Sequence, residues 1–333
     1  MGIKTAGIET MGAALQSMLT WLVRYRRHCL AAIVIVLALL PLFGLRGYYI
    51  RLVMEMLTYG LWAISLDIMI GFTGLVSFGH AAFFGLGVYS TALLITKAGV
   101  SLLPALLGGV AVSSVAAVLI GIVIVRLSGI AFALLTLASS MILFTVFWRW
   151  SALTGGDDGM SVPRPDLELL GLSVNMQADT SVYWFVLAMV LLGIYFAHRV
   201  VNSPAGAALV AIRENHVRAE CVGYNIFRYK LLAFTISGTL AGMAGSLYVI
   251  FQGFASPDLL HWSSSGQVLI MTILGGIGTL YGPFIGAGLV VLLQDKLSSL
   301  TEHWMLPLGL IFVLVIRFLP KGLLGMVRLG SQR

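Results

Sequence analysis

Residues 265–293 read SGQVLIMTILGGIGTLYGPFIGAGLVVLL, 29 residues without a charged side chain. An upright membrane-spanning helix needs about 20 apolar residues, so this run is too long for one span and too short for two full ones. Its centre carries Gly275, Gly276, Gly278, Gly282, Gly286 and Gly288, with Pro283 among them. Glycine and proline at that density break a helix, and a broken helix at membrane depth is tolerated where its freed backbone is buried in protein or lines a cavity. The run therefore reads as two short helices meeting at a glycine turn. Gly278, Gly282 and Gly286, spaced by four, are expected on one close-packed helix face.

The rest of the chain agrees with a lipid solvent. Of 333 residues, 59% are hydrophobic and 10% charged, and the mean hydropathy is +1.00. A soluble protein carries about 25% charged residues, and this chain has too few to cover a water-facing surface. Working outward, further apolar runs lie at about 29–45, 50–72, 75–96, 102–125, 129–148, 181–198, 230–251 and 304–319. The first follows a basic segment, but no small-x-small cleavage pattern closes it and more spans follow at once, so it reads as a retained helix rather than a signal peptide. The fold class is an all-α polytopic membrane protein of about ten transmembrane or half-membrane helices, including the glycine-broken pair. It divides into a basic segment 1–28, a transmembrane domain 29–320 and a tail 321–333.

The net charge of +7 does not form a nucleic-acid-binding stripe. The basic residues sit between apolar runs, as the positive-inside rule requires. Residues 151–180 hold Asp157, Asp158, Asp166, Glu168 and Asp179 against Arg164, whereas 198–230 hold Arg199, Arg213, Arg218, Arg228 and Lys230 against two glutamates. The first loop is therefore outside and the second (199–229) cytoplasmic, and an even number of spans places both termini on the cytoplasmic side. None of the five lysines follows a glycine, which excludes a P-loop ATPase. The six histidines and two cysteines show no zinc or haem spacing, and Cys29 and Cys221 suggest no disulfide framework. No catalytic residue, metal site or cofactor is expected on this chain.

Three constellations could carry function. The segment GFTGLVSFGHAAFFGLGVYSTALL (71–94) has the small residues that let helices approach closely in lipid, and its Thr73, Ser77 and His80 offer hydrogen bonds in a broken region that could face a translocation path. Gly275, Gly276, Gly278 and Gly282 of the broken pair belong to the same candidate path. The acids Glu55 and Asp67 share the second span; Glu55, four residues after Arg51, suggests an i, i+4 ion pair, and Asp67 suggests packing or a cap for the following break. Finally, 202–230 start with Ser203 as N-cap and Pro204 at the first helical position and stop at Gly223, predicting one charged helix of about 19 residues outside the bilayer. Leu209, Ile212, Val217 and Val222 on such a helix point to a docking surface for a cytoplasmic partner.

These segments, with LTGGDDGM (153–160), SPAGAALVAIRENHVRAECVGYNIFRYKLLAFTISGTLAGMAGSLY (203–248) and LGGIGTLYGPFIGA (274–287), strongly resemble the permease subunits of bacterial ABC importers for branched-chain amino acids, of the LivM type. The resemblance covers most of 50–325. It implies a bacterial inner-membrane importer of Leu, Ile and Val working by alternating access, with a second permease subunit, two cytoplasmic ATP-binding subunits that use the ATP, and a periplasmic substrate-binding protein. The outside loop 151–180 would then be periplasmic. It also implies that Ala211, Ile212, Arg213, Glu214 and Asn215, closed by Gly223, couple this chain to the ATPases; Ala207 departs from the basic residue many members carry. Related permeases import urea, short amides and other amino acids, and an ion-coupled secondary transporter is a further class, for which buried charges in several spans would be required.

Overall fold

The computed structural model describes residues 35–43, 47–169, 172–301, 303, 305–318 and 322–324. The basic segment 1–28 and most of the tail lie outside the described residues, as does the beginning of the first apolar run, whose residues 35–43 are helical. The remaining runs fold as α1 (Gly47–Asp67), extended by a π-helical turn Ile68–Thr73, then α2 (Ala81–Thr96), α3 (Leu102–Ile124), α4 (Gly129–Arg149), α5 (Asp179–Val201), α6 (Pro204–Glu214), α7 (His216–Cys221), α8 (Ile226–Gln252), α9 (Trp262–Gly275), α10 (Gly282–Leu300) and α11 (Met305–Phe318). Among the described residues six helices are long and apolar enough to cross a membrane: α1 with its π-turn, α3, α4, α5, α8 and α10.

α1 and α8 form the interior, and α3 and α4 turn apolar side chains such as Leu119, Val123, Ile130 and Ile142 outward. Lipid satisfies such a surface, so these helices need no polar face. At the centre Trp62 stacks on Phe84 with ring centroids 4.2 Å apart, Tyr59 packs against both, and Tyr248 packs against Phe84 and Tyr59. α2 meets α8 backbone to backbone. A side chain at Gly87 would strike the Gly242 carbonyl, and one at Gly245 the Phe84 carbonyl, which is why the glycine-rich segment 71–94 packs where larger residues could not.

One end of the bundle carries the acidic loop. There β1 (Met160–Ser161) pairs antiparallel with β4 (Phe254–Ala255), and β2 (Leu167–Leu169) pairs with β3 (Leu172–Val174). Asp179 at the start of α5 is gripped from two sides, by Arg164 Nη1 at 2.7 Å and Arg51 Nε at 3.1 Å. Arg51 thus pairs with Asp179 and not with Glu55, against the helical spacing, because the incoming α5 offers a carboxylate better placed than one on Arg51's own helix. Arg164 also donates to the Phe251 carbonyl at 2.6 Å, tying the loop to the end of α8. Asp179→Ala strands the half-buried Arg164 guanidinium and is expected to lower stability by about 1–3 kcal/mol, whereas Arg51→Ala removes an exposed partner and should lower it by less than about 1 kcal/mol. Thermal unfolding of the two variants in detergent measures the difference, and equal losses would show that Arg164 is not the anchor.

Candidate functional site

The opposite end of the bundle gathers most of the residues singled out in the sequence. α1 ends at Asp67 and loosens into the π-turn, and Gly74 (φ 73°) stops it. Residues 74–80 are not helical, so α2, at 16 residues, is too short to cross alone. Side chains from other helices satisfy the exposed backbone of this break: Phe78 N–H donates to Thr136 Oγ1 at 3.2 Å and Ala81 N–H to Ser265 Oγ at 2.9 Å. That is the condition under which irregular backbone persists at membrane depth.

Thr73, Ser77 and His80 are all buried, but they do not join into one polar lining. Thr73 folds its hydroxyl back onto the Met69 carbonyl. His80 Nε2 lies 2.8 Å from Ser65 Oγ and 3.5 Å from Ser237 Oγ. Both serine hydroxyl hydrogens are spent on main-chain carbonyls, of Trp62 and Ser65 respectively, so Nε2 carries the proton and donates. His80 therefore pins α1, α2 and α8 together. Ser77 Oγ is buried with no hydrogen-bond partner, and it is the member of the three with unspent capacity.

The run 265–293 does form two helices, with Gly276–Tyr281 as the turn between α9 and α10. Gly278 is not on the helix face with Gly282 and Gly286. It sits in the turn at φ 74°, a left-handed conformation that favours glycine, and its N–H is drawn away to a distant carboxylate. Gly282 and Gly286 do share a face, against the backbone of α9: a side chain at 286 would come within 2.9 Å of Gly275 Cα. Thr279 closes the turn, its hydroxyl donating to Gly276 O at 2.6 Å and accepting from Gly282 N–H at 3.1 Å. Tyr281 reaches His198 at the end of α5, with its hydroxyl 3.1 Å from Nδ1.

Asp67, fully buried, supplies that distant carboxylate. Its Oδ1 accepts from Gly278 N–H at 2.6 Å and its Oδ2 from Leu280 N–H at 3.1 Å. The acid expected to cap the adjacent break instead caps the turn of the other broken pair.

The helix expected over 203–222 is two helices. Ser203 caps α6 as its sequence indicates, accepting from Gly206 N–H, but Asn215 leaves the helix and caps α7 by accepting from Arg218 N–H at 3.0 Å. The break divides the surface. α6 buries Leu209 and Ile212 against the bundle, while Val217 of α7 and Val222 just after it are exposed along with His216, Arg218 and Glu220. Ala211, Glu214 and Asn215 also face solvent, and Gly223 ends α7 at φ 96°. Arg213 bridges the two environments. Its Nη1 donates to the Gly71 carbonyl in the π-turn, its stem lies over Gly74, and its Nη2 meets the exposed Glu214 at 3.3 Å. A cavity of about 660 Å³ borders α7, lined by Arg126, His216, Glu220, Phe227 and Lys230. Among the described residues no group of three His, Cys, Asp or Glu side chains could hold a metal ion.

Residues 48–316 match the family described as the branched-chain amino acid transport system permease component. The chain is 31% identical over 319 residues to the high-affinity branched-chain amino acid transport system permease protein LivM of Salmonella typhimurium, covering 90% of this chain and 75% of that protein. It is 30% identical to LivM of Escherichia coli K12 over 290 residues, 81% of this chain and 68% of that one. It is 28% identical to the permease protein LivH of the same organism, over 80% of this chain and 91% of that protein. No solved structure gives a significant match.

Proposed function

The chain belongs to the family of branched-chain amino acid transport permease components, and from that membership we propose how it works: as the membrane subunit of an ATP-driven importer of Leu, Ile and Val. It is a multi-pass membrane permease and not a member of an enzyme family. It pairs with a second permease subunit, receives substrate from a periplasmic binding protein, and is driven by two cytoplasmic ATP-binding subunits that bind and hydrolyse the ATP; it carries no cofactor and performs no chemistry of its own.

One observation carries the coupling part of this reading. α6 is seated on the bundle by Leu209 and Ile212 and α7 is left exposed, while Arg213 joins the α6 end to the π-turn of α1. An ATPase bound to Ala211, Glu214, Asn215 and α7 can thus push on a helix that is already hooked to a membrane break. Alternating access is then a displacement of the broken segments, transmitted through Arg213, with the substrate passing between this chain and the second permease. Thr73, Ser77, His80 and the glycine turn lie in or beside those segments.

The sidedness follows from charge: the acidic loop 151–180 is periplasmic and both termini and 199–229 are cytoplasmic in the inner membrane. Cys221 is free and exposed, so it provides the probe. In intact spheroplasts a membrane-impermeant thiol reagent is expected to label Asp158→Cys (in a chain lacking both native cysteines) and to leave Cys221 unlabelled (in a chain lacking Cys29) until the inner membrane is permeabilised. The reverse pattern would overturn the orientation.

A further inference from the structure

Two distant segments, the end of α1 and the α9–α10 turn, meet at one carboxylate. Asp67 accepts hydrogen bonds from Gly278 and Leu280, both in the α9–α10 turn, from a position at the last residue of α1. Leu280 is buried and has φ 64°, a left-handed conformation that a leucine adopts only where its surroundings over-determine it. The two bonds to Asp67 provide that constraint. Alongside them the backbones of Gly71 and Gly278 are in contact, since a Cβ at 71 would fall 2.5 Å from Gly278 N. The carbonyl of Gly71 is the group that Arg213 holds.

α6, the π-turn and the α9–α10 turn are therefore connected in series. A displacement of α6 pulls on Gly71, and Gly71 cannot shift without Gly278 while Asp67 keeps the turn in place. We propose that Asp67 is the positioning residue that makes the α9–α10 turn follow the ATPase-docking helix, so that the turn is a moving part of the transport cycle. This rests on the reading of α6 and α7 as the docking element. The choice of an acid fits the task. Its two oxygens accept from two different N–H groups of one strained turn, which an amide with a single acceptor oxygen cannot do.

The test uses the complete transporter in proteoliposomes, with a reporter thiol introduced by Ile277→Cys in a chain lacking Cys29 and Cys221. Ile277 lies in the turn and is 45% exposed. With Asp67 present, ATP is expected to change the rate at which the thiol reacts with a maleimide. Asp67→Ala should remove that ATP dependence and lower uptake per ATP hydrolysed by about tenfold or more, while Asp67→Asn, which keeps one acceptor oxygen, should fall between. A residue that served folding alone would lower the amount of assembled transporter without altering either quantity in what remains. An unchanged ATP response and an unchanged uptake per ATP in Asp67→Ala would overturn the proposal; where that variant does not assemble, the same two quantities in Asp67→Asn decide it. Failure of the unsubstituted assembly to transport with ATP would overturn the import reading itself, and this inference with it.

Discussion

Replacing Gly282 with Leu is expected to abolish uptake while the chain still inserts in the membrane. Gly282 is buried at the first residue of α10, where any side chain would strike Thr279 Oγ1 and come within 2.9 Å of the Gly275 carbonyl carbon. Thr279 is the residue that closes the turn, so the added side chain both parts α9 from α10 and opens the connection between them. Overpacking costs about 1–3 kcal/mol where neighbours can give, and more where the opposing atoms are backbone, as here. Insertion is not impaired, because leucine partitions favourably into a membrane helix. Gly288→Leu provides the control: it lies on the same helix, but a side chain there meets nothing within 4 Å, and uptake should stay near the unsubstituted level. Membrane abundance and ATP-dependent uptake of the two variants measure the effect. Normal uptake by Gly282→Leu would mean that the two helices do not work through this face.

Arg213→Ala is expected to uncouple transport, and Glu214→Ala is not. The two residues are adjacent and ion-paired, yet the Arg213 side chain is 37% exposed and hooked to the Gly71 carbonyl, whereas that of Glu214 is 69% exposed. Hydrogen bonds from charged donors contribute about 1.5–3 kcal/mol, and the lower end of that range, suited to a partly exposed side chain, is a factor of about ten. A surface ion pair contributes about 0–1 kcal/mol, so Glu214→Ala should change uptake by less than about fivefold. Neither change should alter abundance, since both residues lie outside the apolar spans. Uptake and the stimulation of ATP hydrolysis by loaded binding protein, measured together, separate the cases. Equal and small effects of both substitutions would return Arg213 to the status of a solvated charge.

Most helices were legible from length alone. α3, α4 and α5 lie within a few residues of the apolar runs that announce them, because lipid leaves a spanning segment few alternatives to a helix. The glycine break between α9 and α10 was legible for the same reason. What the sequence hid were the partners of its few charges. Arg51 has an acid four residues away but pairs with Asp179, 128 residues distant, and Asp67 is 211 residues from the N–H it holds most closely. No local spacing encodes such contacts. The split of the 203–222 helix did have a signal, Asn215 followed three residues later by an N–H it can cap, but strong start and stop residues at Ser203 and Gly223 masked it. Gly278 departs from the face its spacing implies because a spacing of four gives a shared helix face only if the helix is continuous, and the turn ends one residue before Gly282.

Import through this permease is expected to be driven by ATP and coupled at Arg213. The most direct measurement is uptake of radiolabelled leucine into proteoliposomes that hold the complete assembly, with ATP enclosed and binding protein outside, in parallel with labelled urea and a short amide. ATP-dependent accumulation of leucine is expected, competed by isoleucine and valine, absent without ATP and about tenfold lower with Arg213→Ala. Leucine accumulation that follows an ion gradient and ignores ATP, or that Arg213→Ala leaves intact, would contradict it.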